Sequence, residues 1–314
     1  MLCALLASGA GTFVWADTRL NRTVDLTAVP GRDTLPGKGT NYLIVGSDSR
    51  SGLSQRARKD LHTGSAEGRR TDSMILLHTG AHGATMTSLP RDSWVTVPRY
   101  LRTQTGKRYG PAPNKLNAAF AIGGPELLVR TVEHNTRLRI DHYAEVGFAG
   151  FVNIVDSVGG VRMCLNRDIR DRKSGTDLRR GCQRLNGAQS LAFVRQRHQE
   201  ADGDLGRTRN QQRLLSALAQ QAAAPGTMLD PSKLYTTAGA GLDTLIVDKD
   251  MNLRTLTSLF RAMESVAGGT SRRINVPVTG RGLQTDKGSA VQWDRPRAER
   301  LFAELREDRP VTAP

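Results

Sequence analysis

The sequence predicts an α/β fold, a three-layer α/β/α sandwich around a central mixed β-sheet. Short apolar runs that are typical of buried strands come first along the chain, and amphipathic helical patterns follow them. The two kinds of segment do not alternate strictly, as they would in a purely parallel βαβ protein. A mixed sheet with helices packed on it accommodates this order.

The predicted strands lie mostly in the first third of the chain. Residues Tyr42–Val45 form a short apolar run followed by glycine, which indicates a buried strand. Residues Ser73–Thr79 and Ala84–Leu89 are separated by a glycine-containing turn and predict a hairpin. A later strand is predicted over Ile274–Val278.

Helical periodicity predicts the remaining elements. Pro125 suits the first position of a helix, and Asp204 is a plausible N-cap for the longest one. The predicted helices cover residues 117–121, 125–135, 150–158, a segment that begins at Asn186, and residues 205–223, 251–267 and 297–306.

Composition narrows the function classes. The chain has 314 residues, of which 38% are hydrophobic, and this excludes both a polytopic membrane protein and a fully disordered chain. It carries 45 Lys and Arg against 30 Asp and Glu, a formal charge of +15, which favours a phosphate-bearing ligand or surface. Aromatic residues are only 5% and do not interleave with the basic clusters, so no nucleic acid is expected as a partner.

The first 40 residues differ from the rest. Residues 1–16 are uncharged and apolar but shorter than the ~20 residues that a spanning helix needs. We interpret them as the remnant of an N-terminal membrane or signal anchor, the alternative being an apolar helix docked on the domain. Residues 17–40 then form a linker, residues 41–308 the main domain and residues 309–314 a tail.

The cysteines give a second indication of location. Cys164 and Cys182 flank a polar segment, residues 167–180, that is predicted to be a surface excursion. A disulfide between them is our interpretation, with two unpaired thiols as the alternative. A disulfide implies an oxidising compartment. The absence of CxxC pairs and Cys/His clusters argues against a structural zinc site.

Charged residues collect where the predicted strands end. Residues 46–50 follow the first strand, residues 70–72 precede the second and residues 90–92 follow the third. Several guanidinium groups beside two or three carboxylates suit a divalent cation together with a pyrophosphate. Mg²⁺ is held by one or two carboxylates plus phosphate oxygens, and arginine forks neutralise the remaining phosphate charge.

Eight motifs, taken in order over residues 41–223, resemble those of the LytR-CpsA-Psr (LCP) family. They are the segments 46–50, 70–72, 88–92, 115–120, 123–124, 155–161, 186–197 and 204–212. The resemblance implies the LCP fold and a Mg²⁺- or Mn²⁺-dependent phosphotransferase, anchored in the cell membrane by a single pass with its catalytic domain outside the cytoplasm. Such an enzyme moves a glycopolymer of the teichoic acid, capsular or arabinogalactan type from a polyprenyl-pyrophosphate carrier onto peptidoglycan. A pyrophosphatase side activity belongs to the same expectation.

The resemblance also implies roles for individual residues. Asp48 and Asp72 match the metal ligands, and either Asp48 or Asp204 is expected to be the general base. The pyrophosphate-binding positions are Arg70, Arg91, Lys115, Arg195, Arg197, Arg207 and Gln211. The catalytic set is Asp48, Asp72, Arg70, Arg91 and Asp204. An apolar tunnel for the polyprenyl tail would be lined from Phe120, Leu127, Phe148, Phe151, Ile154 and Val155, for each of which plain core packing is the alternative.

Two alternatives stay open. The chain could be a non-catalytic scaffold that binds polyprenyl phosphates or wall polymer. The basic insertion over residues 56–68 is expected to be disordered, with contact to an anionic acceptor as the alternative.

Overall fold

The computed structural model describes residues 15–27, 37–50, 53–63, 71–102, 105–196, 204–222, 239 and 241–312. The strands are β1 (Asn21–Val24), β2 (Thr40–Ser47), β3 (Thr71–Gly80), β4 (Gly83–Leu89), β5 (Trp94–Val97), β6 (Tyr100–Arg102), β7 (Lys107–Tyr109), β8 (Ala112–Lys115), β9 (His142–Val146), β10 (Val161–Leu165), β11 (Ile169–Asp171), β12 (Thr176–Leu178), β13 (Gly181–Leu185), β14 (Leu245–Asp248), β15 (Arg272–Asn275), β16 (Val278–Leu283) and β17 (Ala290–Trp293). The helices are α1 (Gln55–Asp60), α2 (Leu116–Thr136), α3 (Phe148–Ser157), α4 (Gly187–Arg195), α5 (Asp204–Ala222), α6 (Leu253–Ala267) and α7 (Arg295–Arg306).

The chain divides into two compact units, and each is built from three separate stretches of sequence. The sheet unit contains residues 24–49, 66–145 and 269–314. The helical unit contains residues 1–23, 50–65 and 146–268.

The sheet unit is organised around five neighbouring strands in the order β9-β2-β3-β4-β15. Strands β2, β3 and β4 pair antiparallel, whereas β15 runs parallel to β4. The predicted hairpin is therefore confirmed, and so is the prediction of an α/β fold with a mixed sheet. Its core is apolar, with Leu43, Leu76 and Leu77 fully buried.

Helix α2 packs against β3 and β5 in the same unit and is kinked. Gly124 has a φ of +67°, which a residue with a side chain rarely adopts, and Pro125 follows it with no amide hydrogen to donate. The two helical segments predicted over residues 117–121 and 125–135 are the two arms of this helix.

The helical unit packs its strands and helices around a second core. The amphipathic strands β10 and β13 pair antiparallel, and β11 pairs with β12. Their inward side chains pack with residues of α3, α4 and α5; the buried members are Val155, Val161, Met163, Leu165, Ile169, Leu178, Leu185, Phe193 and Leu214. The predicted disulfide is present, because Cys164 and Cys182 lie directly opposite each other in this pairing with Cα atoms 3.9 Å apart.

Two local expectations need correction. The strand predicted over Ile274–Val278 is broken: β15 ends at Asn275 and β16 begins at Val278, because Pro277 has no amide hydrogen for a ladder. The prediction of disorder is wrong for residues 56–60, which lie in α1 behind the N-cap Ser54. The predicted surface excursion over residues 167–180 contains two short paired strands, β11 and β12.

The structure describes part of the predicted N-terminal anchor and linker. Residues 1–14 of the predicted anchor lie outside the described residues. The predicted linker 17–40 contains strand β1, so part of it has regular structure. None of the helices that the structure describes is both long and apolar enough to cross a membrane. The boundaries of the catalytic domain remain predictions.

Candidate functional site

The predicted site begins at one edge of the sheet unit. Asp48 follows the end of β2, and Asp72 is the second residue of β3. Arg91 and Asp92 follow the end of β4. Since β2 and β4 both run antiparallel to β3, the ends of the first and last of these strands meet the start of the middle one. The pairing therefore brings three of the predicted motifs to the same edge.

A β-bulge sets the position of Asp72. Gly46 pairs with Ser73 and Ser47 pairs with Thr71, so Asp72 is an extra residue on its strand. A bulge leaves its extra residue unpaired in the ladder and re-aims the side chain. A Cβ at Gly46 would overlap the Ser73 hydroxyl, so a residue with a side chain at this position would have to displace that group.

Four side chains at this edge form a continuous chain of ion pairs. Arg91 Nη1 donates to Asp72 Oδ1 at 2.8 Å, and Arg91 Nε lies 3.4 Å from Asp92 Oδ2. Lys115 Nζ lies 3.3 Å from Asp92 Oδ1. The four side chains are between 19% and 25% exposed, so their charges are only partly screened and remain open to a ligand.

Helix α2 fixes the loop that carries Arg91. The first two amides of α2 donate to this loop, Leu116 N to Ser93 O at 2.9 Å and Asn117 N to Arg91 O at 3.0 Å. Lys115 is the N-cap residue of the same helix. The helix start therefore positions Arg91 and Lys115, two of the predicted phosphate-binding cations of the sheet unit.

The hairpin β16–β17 also holds this loop, and the sequence analysis did not predict it. Val291 N donates to Asp92 O at 2.8 Å, and Trp293 Nε1 donates to Ser93 Oγ at 2.8 Å. These partners are 199 to 200 residues apart in sequence, so no local pattern identifies the contact.

In the helical unit, Arg195 is the last residue of α4. Its guanidinium donates to Leu61 O and His62 O, both at 3.0 Å, and its Cζ lies 4.9 Å from the centre of the Phe148 ring. Arg50 Nε donates to Thr63 O at 3.0 Å. Two arginines of the predicted motifs thus hold the same loop, residues 61–63, which follows α1.

The other predicted site residues cannot be located to the same extent. Arg70 and Arg197 lie outside the described residues. Asp204, Arg207 and Gln211 belong to α5, but the structure does not describe their side chains. Of the proposed tunnel residues, Phe120 and Leu127 are buried in the sheet unit, and Phe148 and Val155 in the helical unit.

The donor set at the sheet edge fits a divalent cation shared with a phosphate. No group of three or more His, Cys, Asp or Glu side chains with metal-site geometry occurs among the described residues. Asp48 and Asp72 supply hard oxygen donors. Ser47, which pairs with Thr71 across the bulge, has a buried hydroxyl with no hydrogen-bond partner within the described ranges. Mg²⁺ commonly takes one or two carboxylates and completes its shell with phosphate oxygens and water.

Comparison with known proteins gives a consistent result. The model of the LytR_cpsA_psr family matches residues 17–307. The probable cell wall biosynthesis protein LcpB of Corynebacterium glutamicum is 41% identical over 295 residues, which is 93% of this chain and 66% of that protein. TagV of Bacillus subtilis, named a polyisoprenyl-teichoic acid–peptidoglycan teichoic acid transferase, is 30% identical over 221 residues, which is 68% of this chain and 53% of that protein.

Solved structures agree on the fold. The LytR-Csp2A-Psr enzyme from Actinomyces oris superimposes with a TM-score of 0.67 and 21% identity, covering 92% of this chain and 96% of that one. At this identity the likeness concerns the fold alone. The chain spans about two thirds or less of the length of the curated relatives named above.

Proposed function

Because the chain belongs to the LytR-CpsA-Psr family, we propose that it is a phosphotransferase that moves a glycopolymer from a polyprenyl-pyrophosphate carrier onto peptidoglycan. Two relatives carry names from this chemistry, a cell wall biosynthesis protein and a teichoic acid transferase. We place the catalytic domain outside the cytoplasm, tethered to the membrane by an N-terminal anchor. The Cys164–Cys182 disulfide supports this location, because disulfides persist in oxidising compartments.

The observation that carries the proposal is the ion-pair chain Asp72–Arg91–Asp92–Lys115. Two carboxylates and two cations balance each other there, so a pyrophosphate would add negative charge to a nearly neutral cluster. Binding it requires further positive charge. The predicted arginines 70, 195, 197 and 207 and a divalent cation would supply that charge.

We assign a distinct role to each of three predicted site residues whose side chains the structure describes. Arg91 is held by two carboxylates, which orient its planar fork toward the edge of the sheet. Lys115 adds a second cation beside Asp92 for the phosphate oxygens. Arg195 remains a predicted pyrophosphate ligand, and in the structure its guanidinium contacts the carbonyls of residues 61 and 62.

The reaction balances as a phosphoryl transfer. A sugar hydroxyl of the acceptor forms a P–O bond to the phosphorus that carries the glycopolymer, and the P–O bond to the departing polyprenyl phosphate breaks. The hydroxyl proton passes to a carboxylate, for which Asp48 and Asp204 are the candidates. The arginines and Lys115 stabilise the charge that develops on the leaving phosphate, so that positioning and electrostatics do most of the catalysis.

A divalent cation would be held by Asp48 and Asp72. When bound, it would neutralise phosphate charge and withdraw electron density from the reacting phosphorus. The ion pair to Arg91 already fixes the orientation of Asp72, so this ligand would be preorganised.

The test is a transfer assay with the full chain, a polyprenyl-pyrophosphate-linked glycopolymer and isolated peptidoglycan. Mass spectrometry should detect polyprenyl phosphate release together with polymer attached to muropeptides, and EDTA should stop both. Release without an acceptor would reveal the pyrophosphatase side reaction. Tight binding of the lipid without release under any metal condition would contradict an enzyme and favour a scaffold.

A further inference from the structure

A segment of the helical unit carries an unusual concentration of positive charge. We call residues 161–185 the basic lobe; it consists of β10 to β13 and is closed by the Cys164–Cys182 disulfide. It contains eight Lys and Arg residues against three Asp residues. All eight cations are exposed, and they are Arg162, Arg167, Arg170, Arg172, Lys173, Arg179, Arg180 and Arg184.

In the basic lobe, buried apolar residues and exposed polar residues lie on opposite faces of strand β10. Val161, Met163 and Leu165 of β10 alternate with exposed residues and are buried in the core of the helical unit. Arg162 and Cys164 therefore point to the opposite, outward face. An amphipathic strand needs polar residues on this face, but this requirement does not determine whether they carry positive or negative charge.

The pairing register places like charges against each other. Arg162 lies directly opposite Arg184, two positions from the Cys164–Cys182 pair. Pairs two residues apart are of the same kind in an antiparallel ladder, so these arginines share the closely spaced arrangement of the disulfide pair. Like charges directly opposite are destabilising, whereas a carboxylate at either position would stabilise the pair.

Arg170 of the basic lobe is paired with Asp177, whereas the contacts given for Arg184 and for the neighbouring Arg213 orient these side chains without neutralising them. Arg184 Nη1 donates to Gly159 O at 3.0 Å, and Arg213 Nη2, from α5, donates to Cys164 O at 3.2 Å. Both acceptors are uncharged backbone carbonyls. The side chain of Arg213 is exposed and adds another cation beside the disulfide.

We propose that the basic lobe is a binding surface for an acidic wall glycopolymer, one that carries repeating phosphate or carboxylate groups. The mutual repulsion of Arg162 and Arg184 would be relieved when an anionic group lies over both. Repeating charges on a flexible polymer would match several exposed cations at once, and each contact would release counterions.

Other polyanions fit the basic lobe less well. The exposed large apolar residues among those described are Leu101 and Phe260, and neither belongs to the lobe, which therefore lacks the apolar anchors of a membrane-surface element. Residues 161–185 contain no Phe, Tyr or Trp, so they offer no stacking platform for nucleic acid bases. A water-soluble acidic polysaccharide needs neither feature.

The test measures binding of the full chain to purified polyglycerol-phosphate teichoic acid and to polygalacturonate, with dextran as the neutral polymer. Arg162→Gln/Arg184→Gln removes the opposed pair. Arg254→Gln/Arg261→Gln is the matched control, because these exposed residues of α6 remove the same charge from the same unit. The single variant Arg162→Gln serves if loss of the Arg184 contact to Gly159 impairs folding.

We expect both acidic polymers to bind and dextran not to bind. The Arg162→Gln/Arg184→Gln variant should weaken binding roughly tenfold and reduce the slope of log affinity against log salt by about two, while the control changes affinity less than about twofold. Equal weakening in both variants, or equal binding of dextran, would overturn the inference. So would binding to phosphatidylglycerol vesicles that is lost in the variant while polymer binding is unchanged.

This inference rests on the proposed function only in naming the polymer as a wall glycopolymer. The assay involves no turnover, so a negative result would leave the phosphotransferase proposal intact. Conversely, polymer binding by a chain that releases no polyprenyl phosphate would support the basic lobe and contradict the proposed catalysis.

Discussion

Arg91 illustrates why a single side chain can depend on three separate segments. Its guanidinium contacts Asp72 at the start of β3 and Asp92 in its own loop, and its carbonyl accepts from the first turn of α2. Geometry of this kind uses the planar fork of arginine, which an ammonium group cannot reproduce.

The substitution Arg91→Lys therefore tests geometry at constant charge. A lysine can satisfy only one of the two carboxylates, so we expect kcat/KM for polyprenyl phosphate release to fall roughly 100-fold. Unfolding in urea should show little change, because lysine keeps the positive charge and one of the two ion pairs. A variant that retains most of the activity would show that only the charge matters.

Arg195 contacts backbone carbonyls in the structure, so its predicted role in pyrophosphate binding needs a test that separates it from a structural role. If it also binds pyrophosphate, Arg195→Ala should abolish turnover, whereas Arg50→Ala, which loosens the same loop, should reduce it only partly. Both variants should lose about 1–2 kcal/mol of unfolding free energy. Equal loss of turnover in Arg195→Ala and Arg50→Ala would show that Arg195 only positions residues 61–63.

At the scale of elements, the bulge between β2 and β3 determines where the carboxylates lie. We expect Gly46→Ala to displace this bulge, because the new methyl group would overlap the Ser73 hydroxyl. The cost should be about 1–3 kcal/mol in urea unfolding, accompanied by loss of turnover. Gly110→Ala is the control, since a Cβ there meets nothing within 4 Å. Equal effects in the two variants would contradict the account of the bulge.

The disulfide gives a prediction for a second element. Removing it in Cys164→Ala/Cys182→Ala should lower the free energy of unfolding by about 3 kcal/mol, from the chain entropy of an 18-residue separation. A reductant should destabilise the natural chain by a similar amount and leave the double variant unchanged. An equal effect of reductant on both proteins would show that the destabilisation does not come from the Cys164–Cys182 disulfide.

Elements with a strong local signal could be predicted from the sequence. The hairpin β3–β4 follows from two apolar runs joined by a glycine-containing turn, the two arms of α2 from Pro125, and the start of α4 from the Asn186–Gln189 capping box. Short strands such as β5 to β8 and the hairpin β16–β17 could not, because their pairing partners are selected by tertiary contacts rather than by their own periodicity.

Part of the candidate site could be predicted from the order of the motifs. The motif order identified Asp72, Arg91 and Lys115, which the structure joins in one ion-pair chain. The contribution of Asp92 as the link between the two cations, and of Trp293 behind the loop, depends on contacts between distant parts of the sequence. The disulfide was predictable as an alternative to free thiols, and its exact cross-strand register was not.

At the scale of the whole molecule, the C-terminal segment is tied to the β3–β4 hairpin of the sheet unit by a buried histidine. His78 Nδ1 lies 2.8 Å from Asn41 Oδ1, and its Nε2 lies 3.4 Å from Asp308 Oδ1. Burial lowers the pKa of His78 from 6.5, although Asp308 and Asp141 oppose this. Burial raises the pKa of Asp308, but hydrogen bonds from the Ala81 amide and from His78 outweigh it and leave that pKa below its usual value.

These shifts predict acid sensitivity. The folded chain binds fewer protons at His78 than the unfolded chain, so stability is present above pH 6.5 and falls as the pH drops below it. The lowered pKa of Asp308 acts in the same direction at still lower pH. Urea unfolding between pH 5 and pH 7.5 should show less pH dependence in His78→Gln, while the exposed His82→Gln should retain it. Unchanged pH dependence in His78→Gln would contradict this account.

If the carboxylates at the sheet edge support phosphoryl transfer, neutralising one of them should slow the release of polyprenyl phosphate. We would measure polyprenyl phosphate release in Asp72→Asn against Asp243→Asn, which makes the same change in an exposed ion pair with Arg19. We expect the first to lose roughly 100-fold or more in kcat and the second to match the natural chain. Equal rates in the two variants, both folded and both still stopped by EDTA, would contradict the account.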